Sequence, residues 1–341
     1  MPSLRDVALR AGVSSSTASR VLSPSSHPVR AETRERVLRA AVELDFQPNR
    51  LARALVTART HTIGAIVHDI SDPYFGEIVR GLEDAARLSD YQVFVCSSDR
   101  EPDRELAYVR ALLSYRVDGV VFAGGGIEDR RYQADLRRLL NGYRELGGAV
   151  VLLAPHTFSA PSITADNHAG SAKMTRYLLD LGHRRIGFVA GPPHVRTSRV
   201  RLNGYGDALG EHGVPYDPTL VTPGWFTSEG GAKAVSELLE QSPDLTAVFA
   251  SNDVMAFGVL HELASRGIAV PEEISVAGFD DVQVAAYLHS PLTTVRIPMY
   301  EMGQEGALMV LDILEGRRVR SRRLPVELVV RSSTRPPGAR T

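Results

Sequence analysis

From Thr62 onward, short β-branched runs alternate with amphipathic stretches, and that rhythm leaves few folds open. The runs are Thr62–Val67, Val93–Val95, Val120–Phe122, Val150–Leu153, Ile186–Val189, Ala247–Ala250 and Ser275–Phe279, with helix-like segments such as Ala172–Leu181 and Asp253–Arg266 between them. Strands alternating with helices predict parallel pairing, because a parallel connection has to cross over and the helix is what crosses. Seven or more such units exceed one compact sheet. Two doubly wound parallel-sheet subdomains are therefore expected, with a ligand cleft at the carboxyl ends of their strands. The length of 341 residues suits two or three domains, and there is no low-complexity tract and no short solenoid period.

The first sixty residues read differently. In SLRDVALRAGVSSSTASRVLS, Ser3 and Asp6 suit a capping arrangement, Val7, Ala8 and Ala11 share one apolar face, and Gly12 ends the helix. Ser14 is the expected N-cap of a second short helix that turns Ala18, Val21 and Leu22 inward. A third helix is signalled by Ala31–Leu44, with Val37, Leu38, Ala41 and Leu44 at helical spacing before Pro48. The result is a trihelical helix-turn-helix unit. Asn49–Leu55 has good helix formers but is too short to be stable alone, so it needs a partner to fold.

Charge follows the same division. Met1–Thr60 holds ten Arg against five Asp or Glu, while the whole chain has a formal net charge of -1. A basic end favours phosphate backbones through counterion release, although many solvated helices look similar. In such a unit the residues opening the second helix face base edges, here Ser15, Ser16 and Thr17 beside Ser14, with Arg20 one turn later. Short hydroxyls discriminate bases weakly. Arg20, able to meet guanine or phosphate, is the better reader, the alternative being a solvated surface charge.

Several classes are disfavoured. The single cysteine, Cys96, cannot form an internal disulfide and reads as a buried strand residue. No run of 18 apolar residues or secretion signal is present, so neither a membrane partner nor export is expected and the protein is placed in the cytoplasm. Gly124–Gly126 and Gly204-Tyr-Gly206 lack phosphate-loop spacing, and no zinc-protease or CxxC motif occurs. No catalytic residue, metal or cofactor is expected.

A cleft for a small polar ligand needs aromatic faces for stacking and fixed groups for hydrogen bonding. Candidates stand at strand ends: Asp72, Tyr74 and Phe75 after the first core strand, Arg201 beyond Gly191-Pro192, Phe226 after Gly224, and Asn252 and Asp280 closing later strands. Each alone has a plainer reading, such as Asp280 as a helix cap or Phe226 as core. Together they point to one cleft.

RDVALRAGVSSSTASRVLS and ETRERVLRAAVELDFQPNRLARAL resemble the headpiece of the lactose and galactose repressor family. The resemblance continues in order through IGAIVHDISDPYFGEIVRGLE, VDGVVF, DLGHRRIGFVAGP, AVFASNDVMAFGVL, ISVAGFDD and PLTTVRIPMYEMGQ, nearly the whole chain. It implies a repressor of carbohydrate metabolism or uptake genes that binds palindromic double-stranded operator DNA as a homodimer and answers to a small-molecule effector, a sugar or sugar derivative. It implies a headpiece at 1–48, a hinge helix and linker at 49–60, and a core at 61–341 like a type I periplasmic binding protein. One core subdomain would take 61–161 with 292–325, the other 162–291 with 326–341. In the hinge helix, Asn49, Ala52, Arg53 and Leu55 would face the minor groove, with Leu55 as a wedge between base steps. The seven cleft candidates match ligand-contacting positions of the family.

Two departures bear on the ligand. The loop from Pro193 to Arg201 carries three arginines, which either select an anionic effector or are exposed charge, and Trp225 precedes Phe226. Arg331–Thr341 lacks the apolar heptads of a tetramerising helix, which favours a dimer.

Overall fold

The computed structural model describes residues 2–22, 28–46 and 59–338. It divides into two compact units, Met1–His61 and Thr62–Thr341. The first contains α1 (Leu4–Ala11), α2 (Ser15–Leu22) and α3 (Ala31–Glu43). Its boundaries follow from local chemistry: Asp6 N donates to Ser3 Oγ and Ser3 N to Asp6 Oδ2, closing a capping box. Gly12, at φ 64°, ends α1 in the left-handed region that a side chain resists. Ser14 Oγ accepts from Thr17 N at 3.1 Å and so caps α2. Val7, Ala8, Ala11, Ala18, Val21, Val37 and Ala40 form the small core. Leu38 does not join it. It is 46% exposed, because the inward face of α3 runs through Val37, Ala40 and Ala41, and Leu38 lies about 100° round the helix from Val37.

The second unit opens with β1 (Thr62–Val67), α4 (Pro73–Arg87), β2 (Gln92–Ser97), α5 (Pro102–Ser114), β3 (Gly119–Phe122), α6 (Arg130–Glu145) and β4 (Ala149–Leu152). These strands form a parallel sheet in the order β2-β1-β3-β4. After β5 (Ile163–Ala165) come α7 (Asn167–Asp180), β6 (Ile186–Ala190), α8 (Arg196–Glu211), β7 (Val221–Pro223), α9 (Ser228–Gln241), β8 (Ala247–Ala250), α10 (Asp253–Ser265) and β9 (Ser275–Ala277). The second parallel sheet runs β7-β6-β8-β9. Both sheets have the crossover topology expected from the alternation, and the core strands are buried on both faces.

Cys96 departs from expectation. β2 is an edge strand, so Cys96 is only half-buried and Phe94 and Val95 stand exposed beside it. Partial burial still raises the thiol pKa, which keeps it a poor nucleophile.

The chain then weaves between the two sheets. After β10 (Thr294–Arg296), α11 (Met299–Leu314) returns to pack on α4 of the first sheet, and β11 (Arg322–Leu324) pairs with β5. Finally β12 (Glu327–Val329) pairs antiparallel with β10, and Val276 N donates to Ser333 O at 2.8 Å beside the second sheet. The helix pairs touch backbone to backbone through glycine: Gly81 lies against Tyr300 O, Gly303 against Ile78 O, Gly231 against Met255 O and Gly258 against Ser228 O.

Candidate functional site

In the first unit, Ser14, Ser15, Ser16 and Arg20 are exposed and Thr17 is half-buried. Ser14 is occupied locally, since its hydroxyl also meets Ser16 Oγ and Thr17 Oγ1, each at 2.9 Å. The exposed face of α2 therefore offers Ser15 and Arg20 to solvent, with Ser16 and Thr17 turned toward the cap. Asn49, Ala52, Arg53 and Leu55 lie outside the described residues.

In the second unit, all seven cleft candidates line a single cavity of about 410 Å³. Parallel topology explains the convergence, because the carboxyl ends of both sheets open toward the same space. The loops after β1 to β4 contribute His68, Asp72, Arg100, Ala123, Gly125 and Ala154, and the first turn of α4 contributes Tyr74 and Phe75. The loops after β6 to β9 contribute Val195, Phe226, Asn252 and Asp280, and α8 contributes Thr197 and Arg201. His68, Arg100 and Thr197 were not singled out in the sequence, although the strand-end rule that found Asp72 also applies to the turn after β2.

The polar groups are rigidly held. Asp72 caps α4, with Oδ1 accepting from Tyr74 N at 3.0 Å, so its second oxygen can accept from a ligand hydroxyl. Asn252 caps α10 through Oδ1 to Met255 N at 2.9 Å, which leaves its NH2 to donate. Arg201, 3% exposed, donates Nε to Asn167 Oδ1 at 2.8 Å, Nη1 to Ser251 O and Nη2 to Asp280 Oδ1 at 2.9 Å. Its guanidinium carbon lies 3.8 Å from the Phe279 ring centre. Burial pushes Asp280 up to about 7 although Arg201 pulls the other way. Asp280 thus pairs with Arg201 and does not cap a helix.

The aromatic groups of the cavity come from both sheets, Tyr74 and Phe75 beside the first and Phe226 beside the second. Tyr74 and Phe75 meet edge to face at 5.0 Å. Phe226, which lines the cavity, and its exposed neighbour Trp225 both take φ 60°, a strained conformation for aromatic residues. Phe226 lies over Gly191, where a Cβ would come within 2.1 Å of its ring, so the glycine lets the ring sit flat on the loop after β6. Strain concentrated at a cavity wall favours a ring held ready for stacking.

The cavity lips are joined. Ile127 and Val195 form an antiparallel bridge, flanked by Glu128 N to His194 O at 2.8 Å and Arg196 N to Gly126 O at 3.0 Å. Glu128 also pairs with Arg196 and Arg199, so two of the three loop arginines are engaged at the rim and only Arg201 enters the cavity.

Two histidines near the cavity are neutral. Burial lowers His68 well below the usual imidazole range and takes His156 to about 4. His156 Nε2 meets Gly124 O at 2.9 Å, which fixes it as the donor nitrogen. Between about pH 6.5 and 4 the unfolded chain binds a proton that the folded state refuses, so stability falls as pH falls through that window. Asp280 acts in the opposite sense: its raised pKa favours the fold at low pH and that contribution is lost as pH rises through about 7. The clean readout is a comparison. Relative to His156→Gln, the natural protein is expected to lose up to about 3 kcal/mol between pH 6.5 and 4 in thermal melts. A gap between the two that does not change with pH would show that His156 is not held neutral.

With this geometry in place, comparison with known proteins decides the family. Residues 3–49 match the model described as bacterial regulatory proteins, lacI family, and residues 175–334 match a periplasmic binding protein-like domain. The HTH-type transcriptional repressor CytR of Escherichia coli (strain K12) is 35% identical over 336 residues, covering 97% of this chain and 96% of that protein. The chain belongs to the lacI family. This lacI-family chain resembles the Lac repressor dimer bound to operator and the anti-inducer ONPF with a TM-score of 0.86, at 28% identity over 98% of this chain and 99% of that one. It resembles the transcriptional regulator CelR in complex with cellobiose with a TM-score of 0.70, at 34% identity over 98% and 100%. Like its lacI-family relatives it is a DNA-binding transcriptional regulator and not an enzyme. Among the described residues no helix is long and apolar enough to cross a membrane.

Proposed function

We propose that the protein is a cytoplasmic homodimeric repressor of carbohydrate metabolism or uptake genes, whose affinity for a palindromic operator is set by a sugar or sugar derivative in the core cavity. The observation that carries this reading is the convergence of Asp72, Tyr74, Phe75, Arg201, Phe226, Asn252 and Asp280 on one cavity of about 410 Å³. The lining pairs stacking faces with fixed hydrogen-bonding groups, as small-molecule sites do. The solved cellobiose complex of a relative supports a carbohydrate.

The headpiece at 1–48 reads the major groove through Ser15, Ser16, Thr17 and Arg20, and Ser14 holds the helix that presents them. The segment at 49–60 acts as hinge, and the core splits into 61–161 with 292–325 and 162–291 with 326–341. Dimerisation supplies the twofold symmetry of a palindrome. The exposed Phe94 and Val95 on the β2 edge support it, since an apolar edge strand is otherwise a liability. Effector binding favours one closure of the cleft, and that preference, about 1–3 kcal/mol in such systems, shifts hinge pairing and operator affinity.

Gel-shift titration against the protein's own promoter region tests this, with and without sugars. Leu55→Ala is expected to weaken operator binding by about tenfold or more while sugar binding is retained, because minor-groove wedges hold the kinked DNA. Equal operator affinity for the two proteins would remove the wedge, and no shift of any fragment at low salt would remove the regulator.

A further inference from the structure

Arg100 stands apart from the other polar groups of the cavity. Arg201 has each of its three nitrogens engaged and its charge matched by Asp280. Arg100 lines the same space, stacks its guanidinium 5.5 Å from the Phe226 ring centre, and has a buried Nε with no hydrogen-bond partner among the described residues. A buried, unpartnered guanidinium donor is costly unless something arrives to accept from it.

The turn that presents Arg100 is built to keep it there. Asp99 and Arg100 take φ 52° and 63°, in the left-handed region that side chains resist. Ser98 N donates to Val67 O at 2.9 Å, Asp99 N to His68 O at 2.6 Å and Glu101 N to Ser98 O at 2.9 Å, which fixes the turn on both sides. Behind it, Ser98 Oγ donates to the buried carboxylate of Glu105 at 3.0 Å, and Tyr132 Oη donates to the same carboxylate. Two strained residues over-determined by hydrogen bonds mark a group positioned for use.

A second, independent element points the same way. α8 begins beside the cavity with Val195 and Thr197 among the lining residues, and no side chain caps its N-terminus. Thr197 Oγ1 is also buried without a partner among the described residues. The positive end of a sixteen-residue helix, a free hydroxyl and a free guanidinium donor in one cavity form a recognition set for an anion.

We propose that Arg100 determines specificity at this site and that the effector is an acidic sugar, whose carboxylate or phosphate docks on the Arg100 guanidinium near the start of α8 while its ring stacks against the aromatic walls. Arg100 then gives a charge-assisted, bidentate contact that a neutral sugar cannot use. This rests on the reading of the cavity as the effector site.

The test is titration calorimetry of the full-length protein with matched probes: glucose, glucuronate and glucose 6-phosphate, then ribose and ribose 5-phosphate. At least one acidic member is expected to bind about tenfold or more tightly than its neutral counterpart, and whether the uronate or the phosphate wins identifies the anion. Arg100→Gln is expected to erase the preference, leaving acidic and neutral members within about threefold, while Arg100→Lys keeps part of it. Circular-dichroism melts confirm that each variant is folded. Neutral sugars binding as well as acidic ones, or a preference that survives Arg100→Gln, would overturn the anionic effector and leave the sugar-controlled regulator standing. Binding of no member at all would overturn both.

Discussion

Arg201→Ala is expected to abolish the response of operator binding to effector, while operator binding without effector is retained. Arg201 joins α7, through Asn167, to the strand ends at Ser251 and Asp280, and of these partners Asp280 lines the cavity with it. Removing it deletes three charge-assisted hydrogen bonds and leaves Asp280, 3% exposed, without its cation. Effector affinity is expected to fall by about 2–4 kcal/mol, roughly thirtyfold to a thousandfold, as for truncation of one member of a buried charged pair. The ligand-free core should also lose about 3 kcal/mol of stability, softened by protonation of Asp280, whose carboxyl already sits near 7. Lysine offers a point charge where a planar fork meets three acceptors, so Arg201→Lys should recover little. A gel-shift titration in which Arg201→Ala releases or recruits DNA at natural effector concentrations would rule out this cavity as the control site.

Gly258→Ala is expected to destabilise the core by about 3 kcal/mol or more, although alanine is the better helix former by about 1 kcal/mol. A Cβ at Gly258 would stand 1.8 Å from Ser228 O and 2.9 Å from Ala232 N, both backbone atoms that cannot rotate away. α9 and α10 would have to separate, disturbing the wall that carries Asn252. The control is Gly142→Ala in α6, where nothing lies within 4 Å and the propensity gain should appear alone. Thermal melts of both variants check the sign. Two variants shifting in the same direction would mean that the close approach of the helices is easily relaxed.

The features legible in the sequence are those carried by local chemistry. Ser3 and Asp6 announce the start of α1, Gly12 its end and Ser14 the cap of α2, because each acts within three or four residues. The strand runs are legible because fully buried parallel strands are apolar on both faces. Asp72, Asn252 and Asp280 are legible because strand ends are where such sheets bind ligands. The three-residue strands β5, β7 and β10 to β12 carry too little pattern to be read, and they exist through pairing with distant partners. Leu38 was misplaced because its neighbour Val37 takes the inward position, and Cys96 because strand order alone decides which strand forms an edge. Arg100 was missed for a related reason: a charged residue in a turn looks solvated until the opposite sheet is seen to place Phe226 against it.

The woven topology also sets an order of events during synthesis. The first sheet lacks its α11 cover until residue 314 has been made, and the second lacks its last partners until Ser333 and Arg335 reach Val276 and Ser275. Neither sheet is completed by contiguous chain, so the first waits for α11 and the second for the segment through Arg335. The headpiece builds its core from Val7 to Ala40, so it can fold while the rest is being translated. A nascent chain therefore folds its headpiece long before it acquires the capacity to be switched off or on, and a truncation that removes Ser333 and Arg335 should yield a headpiece attached to an aggregation-prone sensor.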